Sequence, residues 1–128
     1  MMEQWHRISL DRDPSGATVI RASAAGDSPW YSGHFPGNPI LPGLAILAMV
    51  KEAILGEETV QGRRIQVLGI RRVRFRQPVK PDDTLALSFS RSRHEENLSY
   101  SFKVSLDEKP VCSGIIAASI LSEADPEG

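Results

Sequence analysis

His34 stands inside Gly33-His34-Phe35-Pro36-Gly37-Asn38-Pro39-Ile40-Leu41-Pro42-Gly43, a stretch with three prolines and three glycines in eleven residues. Its backbone is therefore restricted to turns and extended pieces, so it is built to hold a shape. An imidazole exchanges a proton near neutral pH, which suits a general base or acid. The apolar run Leu44 to Val50 follows at once and predicts a helix opening at Gly43. Free N–H groups and the positive end of the helix dipole would polarise a carbonyl oxygen there. Gly43 carries no side chain, so a ligand can come close to that N–H. These features suit removal of a proton beside a polarised carbonyl, such as that of a thioester. A lone histidine usually has a structural role; the setting of His34 is what singles it out.

Other chemistry finds little support. His6, His34 and His94 lack metal-ligand spacing, and Cys112 falls in an expected core strand, so neither a metal nor a cofactor is predicted. Ser32 makes no recognisable pair with His34, and no glycine-rich phosphate loop is present. Trp5 and Trp30 read as packing or interface residues.

The chain has 128 residues, 41% of them apolar, enough for one domain with one core. Its 15 basic and 16 acidic side chains nearly cancel, which gives no argument for nucleic acid or an anionic membrane. Seven of the cations fall between Arg63 and Lys80, where there is no acid. A single cysteine excludes an internal disulfide, and the N-terminus lacks the pattern of a secretory signal, so a cytoplasmic protein is expected. Residues Ser28 to Val50 carry no Lys, Arg, Asp or Glu, but four prolines and three glycines argue against a membrane-spanning helix.

The elements that must position His34 and Gly43 follow from pattern. Trp5 to Leu10 and Ala17 to Ala22 read as strands joined by the turn residues Asp13 to Gly16. The helix from Gly43 is apolar on every side, which predicts burial all round, with Leu44, Ile46, Leu47 and Val50 in the core. It is expected to stop near Gly56, followed by a polar linker to Arg64. Ile65 to Phe75, Thr84 to Ser92, Leu98 to Leu106 and Lys109 to Leu121 read as four more strands. The last is small or apolar on both faces and is expected to be central and covered on both sides. One antiparallel sheet curled around one helix satisfies this order, an α+β architecture. Residues 122–128 form an acidic tail.

The stretch Gly33 to Gly43, with Leu44, Ile46 and Leu47 after it, resembles the signature of the FabA/FabZ type of 3-hydroxyacyl-(acyl-carrier-protein) dehydratases. The resemblance continues in Gly69-Ile70-Arg71-Arg72-Val73-Arg74-Phe75-Arg76-Gln77-Pro78-Val79-Lys80-Pro81-Asp82-Asp83 and around Val111-Cys112-Ser113. It implies the hot-dog fold, as a single domain over residues 1–121. It also implies that His34 acts on the C2 proton of a 3-hydroxyacyl thioester while the Gly43 N–H binds the thioester carbonyl. Phe35, Pro36, Gly37, Leu44, Leu47 and Ala48 would then line the substrate site. The substrate would be an acyl carrier protein or coenzyme A thioester.

One position departs from the pattern. The family places a Glu or Asp five residues after the helix glycine to handle the departing hydroxyl, and here that residue is Ala48. Glu52, one turn further on the same helical face, is the replacement this chain itself offers. Water, or a carboxylate from a partner chain, are the others. The resemblance implies a homodimer, or pairing with a second subunit that supplies the acid. Arg72, Arg74 and Arg76 alternate with Val73 and Phe75, so on a regular strand they share one face. That face is either a landing site for an acidic carrier protein or simply a solvated sheet surface. Two further readings stay open: an acyl-thioester binding subunit without catalysis, and a thioesterase that uses water as nucleophile.

Overall fold

The computed structural model describes residues 6–12, 18–24 and 41–124. It contains β1 (Arg7–Arg12), β2 (Thr18–Ser23), α1 (Gly43–Val60), β3 (Arg63–Phe75), β4 (Leu85–His94), β5 (Asn97–Leu106) and β6 (Lys109–Glu123). The strands form one six-stranded sheet in the order β1-β2-β4-β5-β6-β3. Every neighbouring pair is antiparallel. Among the described residues this is the expected order of elements, strand, strand, helix and four strands, in the α+β hot-dog arrangement.

Alternation on β5 sets the two faces of the sheet. Leu98, Tyr100, Phe102 and Val104 are buried, whereas Ser99, Ser101, Lys103 and Ser105 are wholly or partly exposed. Across the ladders the inward side continues into Leu85 and Leu87 of β4 and into Cys112, Ile116 and Ala118 of β6. Helix α1 supplies Ala45, Ile46, Met49, Val50, Ala53 and Ile54 to the same core. Burying each of the large side chains is worth roughly 1.5–3 kcal/mol.

Three expectations change. The helix runs eighteen residues, through Gly56 to Val60. An interior glycine costs only about 1 kcal/mol relative to alanine, so Gly56 weakens the helix without ending it. Gly62 ends it instead, in the left-handed region at φ 81°, where its N–H reaches the carbonyl of Thr59. Second, α1 is not buried all round: Leu44 is 71% exposed, Lys51 and Glu52 are exposed, and Leu47 is half-buried. A single sheet covers one side of a helix, and these residues lie on the other. Third, β6 is central, between β5 and β3, but its outward residues Ser113, Ile115, Ala117 and Ser119 are only partly covered.

The basic segment also differs from a regular strand. Arg71 pairs with Ile115 and Arg74 with Ser113, so three steps on β3 match two on β6. Arg72 takes the extra position at φ 55°. This bulge breaks the alternation that would put Arg72, Arg74 and Arg76 on one face. Arg71 and Arg74 are the cations paired with outward residues.

Candidate active site

The start of α1 is fixed from two sides. The Leu41 N–H donates to the carbonyl of Val79 at 2.8 Å, tying the chain before the helix to the segment after β3. The Pro42 carbonyl then accepts from the N–H groups of Ala45 and Ile46. Pro42 offers no side-chain cap, and the first turn holds no acid. The N–H groups of Gly43 and Leu44 therefore have no acceptor among the described residues. They are oriented donors at the positive end of an uncompensated helix dipole, the arrangement that stabilises a developing oxyanion.

A pocket of about 410 Å³ opens beside them, lined by Leu41, Gly43, Ile46, Phe75, Arg76, Gln77, Pro78 and Val79. It is mostly apolar, with Arg76 and Gln77 at its polar side, a composition that suits an acyl chain ending in a polar group. The Phe75 ring lies against Gly43, where an added Cβ would come within 2.7 Å of its ζ carbon. A side chain at position 43 would have to push this half-exposed ring aside. Sequence reasoning did not single out Phe75 or Gln77, though both lie in the stretch after Gly69 that carries the resemblance. Gln77 is held by a hydrogen bond from its side-chain amide to the carbonyl of Pro110 at 2.9 Å.

Other named residues fall into two groups. His34, Phe35, Pro36 and Gly37 lie outside the described residues. Leu44, Ala48 and Glu52 follow one another at four-residue spacing along the side of α1 that its own sheet leaves uncovered. Ala48 sits about 7.5 Å along the axis from Gly43, and Glu52 about 13.5 Å. Glu52 is engaged: its carboxylate contacts His6 Nε2 at 2.5 Å. It is therefore not brought to the Gly43 end of the helix, and no carboxylate lines the pocket among the described residues.

At the opposite end of α1 lies a charged cluster that the sequence did not reveal. Glu58 is 3% exposed and accepts from Tyr100 Oη at 2.8 Å, Arg91 Nε at 3.0 Å and Arg63 Nε at 2.5 Å. Burial, reinforced by the Glu58 carboxylate, drives the Tyr100 phenol far above its ordinary pKa. Glu123 takes the two terminal nitrogens of Arg93 at 2.9 and 3.0 Å and lies 3.5 Å from Arg63. The Arg93 hydrogen bonds hold the Glu123 carboxyl below the usual range. Every buried polar side chain in this cluster is partnered, which marks it as a clamp on the helix end.

The profile of the ApeI-like family, described as ApeI dehydratase, matches residues 11–115. A Wolbachia protein named 3-hydroxyacyl-[acyl-carrier-protein] dehydratase FabZ, from the strain of Drosophila simulans, is 34% identical over 82 residues. That match covers 61% of this chain, and the chain spans only 57% of that relative's length. Among solved structures, the dehydratase heterocomplex ApeI:P from Xenorhabdus doucetiae superposes with a TM-score of 0.66 at 23% identity. It covers 88% of this chain and 98% of the other. A hypothetical thioesterase with coenzyme A from Streptococcus pneumoniae gives 0.70 at 15% identity, over 94% and 91% of the two chains. These two likenesses establish the shared hot-dog fold.

Proposed function

The chain belongs to the ApeI-like dehydratase family, and we propose that it takes part in dehydrating 3-hydroxyacyl thioesters carried on an acyl carrier protein or coenzyme A. The observation that carries this reading is the pair of N–H groups at Gly43 and Leu44, unpartnered among the described residues, beside an apolar pocket. In the proposed reaction the thioester oxygen accepts from the Gly43 N–H, which stabilises the enolate as His34 removes the C2 proton. The C3–O bond then breaks as an acid protonates the departing hydroxyl, leaving the enoyl thioester and water. Phe35, Pro36 and Gly37 shape the loop around the reacting carbons, and Leu44, Leu47 and Ala48 border the substrate.

The acid comes from a second chain in this reading. Ala48 cannot donate a proton, and Glu52 is bound to His6 on the far part of the helix. The side of α1 bearing Leu44, Ala48 and Glu52 is uncovered by its own sheet, so a partner seated there could present a carboxylate close to Gly43. The partner is either a second copy or a related hot-dog subunit; the Xenorhabdus doucetiae assembly is named a dehydratase heterocomplex. A cytoplasmic location fits such substrates. Among the described residues no helix is long and apolar enough to cross a bilayer.

The test is turnover of a 3-hydroxyacyl or enoyl thioester, followed by enoyl absorbance, for the wild type, His34→Ala, Ala48→Glu and Glu52→Gln. Activity should vanish in His34→Ala, persist in Glu52→Gln, and appear or rise in Ala48→Glu. Retained turnover in His34→Ala would sink the assignment of the base. Ala48 also favours a second reading, a subunit that binds acyl thioesters without reacting. That protein gives no enoyl product alone or with its partner. A thioesterase releases free thiol instead.

A further inference from the structure

We propose that a hollow on the outer face of the sheet, lined by Arg76, Lys103 and Ser113 with Arg74 next to Ser113 in the strand register, binds a phosphate ester of the thioester's carrier. Naming the carrier rests on the thioester reading above; the anion site does not.

The strand register assembles it. Ser88 pairs with Lys103, Lys103 with Ser113, and Ser113 with Arg74, one row across β4, β5, β6 and β3. Directly paired residues project from the same face, while Val104, Cys112 and Phe75, next along their strands, turn to the other side. Neighbouring strands lie about 4.8 Å apart, so the backbones of Lys103 and Arg74 are about 9.6 Å apart with Ser113 between them. Both long side chains can reach an ion resting over the Ser113 hydroxyl.

A hollow of about 430 Å³ stands here, lined by residues that include Arg76, Ser88, Lys103, Ser105 and Ser113. Three hydroxyls and two cations in one concavity match a phosphate, which accepts hydrogen bonds through every exposed oxygen. Arg74, Arg76 and Lys103 take part in no ion pair among the described residues. The contrast lies within the same sheet: Arg63, Arg91 and Arg93 are each matched to Glu58 or Glu123. Clustered cations without carboxylates repel one another, and a bound anion relieves that repulsion. One acid, Glu108, also lines the hollow, from the hairpin turn where Asp107 and Glu108 both have positive φ. It lowers the positive charge without cancelling it.

Position ties the hollow to the reacting end. Arg76 lines this hollow and also the pocket at Gly43. Phe75, immediately before it, packs on Gly43. A thioester held at Gly43 therefore has Arg76 at its polar exit, and the carrier arm leaving by that route meets Lys103 and Ser113.

The experiment is a binding titration of the full chain with 4′-phosphopantetheine, pantetheine, coenzyme A and inorganic phosphate, using wild type, Lys103→Gln, Arg74→Gln and Glu108→Gln. Phosphopantetheine should bind at least tenfold more tightly than pantetheine. Lys103→Gln and Arg74→Gln should each remove most of that ratio, and Glu108→Gln should raise it several-fold. Inorganic phosphate should shift the amide resonances of Lys103, Ser105 and Ser113. A gain already complete with phosphopantetheine assigns the arm phosphate, whereas a gain confined to coenzyme A assigns those of the nucleotide. Equal binding of all three organic ligands overturns the proposal, as does a ratio untouched in Lys103→Gln. None of these readouts needs turnover, so a chain that binds phosphate here yet forms no enoyl product, either as Ala48→Glu or with its partner, refutes the dehydration reading alone.

Discussion

Glu58→Ala removes the carboxylate that holds the end of α1 to the sheet, and its cost can be worked from the contacts. The phenol of Tyr100, on a fully buried side chain, loses its acceptor; an unsatisfied buried hydroxyl costs about 1–3 kcal/mol. Arg63 and Arg91 lose their shared counter-charge. Removing one partner of a buried ion pair typically costs about 3–5 kcal/mol. The two arginine side chains are 17% and 31% exposed, so they can turn toward water, and the lower figure applies. With the low end of the hydroxyl loss added, the expected loss is about 4 kcal/mol. With a urea slope of about 2 kcal/mol/M for a small domain, the unfolding midpoint should fall by about 2 M. The assay is urea denaturation at fixed protein concentration, because any association would add its own stabilisation. Tyr100→Phe supplies the internal check. It should destabilise the wild type by about 1 kcal/mol, but be neutral or stabilising beside Glu58→Ala, where it removes an unpaired hydroxyl. A midpoint change in Glu58→Ala worth less than 0.5 kcal/mol, or additive effects of the two substitutions, would refute the account of the cluster as a clamp.

Two further predictions concern packing and protonation. Gly56 meets nothing within 4 Å of an added Cβ, so Gly56→Ala should raise thermal stability by about 0.5–1 kcal/mol. At Gly114 the added Cβ would lie 2.7 Å from the buried Phe102 ring, so Gly114→Ala should lower stability by about 1–3 kcal/mol in the same melt. Equal effects at the two sites would contradict the packing described. Burial pushes the Cys112 thiol up to about 11 from 9.0. Iodoacetamide should therefore leave the native chain unmodified at neutral pH and label it fully in urea. Since the folded pKa is the higher one, the thiol's contribution to stability is complete below pH 9 and is lost between about pH 9 and 11. A Cys112→Ala variant should lack that alkaline loss in a series of pH-dependent unfolding curves.

Local pattern alone determined the order of elements, the single antiparallel sheet and the start of the helix at Gly43. Apolar alternation on β5 and the Pro42-Gly43 boundary are short-range signals, readable within a few residues. The resemblance of the Gly33 to Gly43 stretch led to the dehydratase family, and the match to the family profile establishes membership. The missing carboxylate at Ala48 was equally plain, because it is one residue type at one spacing. Tertiary structure decided what depended on distant partners. Gly56 looked like a helix end, but the last turn is held by Arg63 just beyond the helix and by Arg91 and Tyr100, which meet Glu58 only through the sheet. The apolar run after Gly43 looked buried all round, yet a single sheet covers one side and leaves Leu44 out. Arginines at alternate positions looked coplanar until a bulge at Arg72 shifted the register against β6. Lys103 and Arg74 are far apart in the chain and come together because β5 and β3 both flank β6. Strand pairing is a long-range choice, and no local window contains the residue on the other side of the ladder.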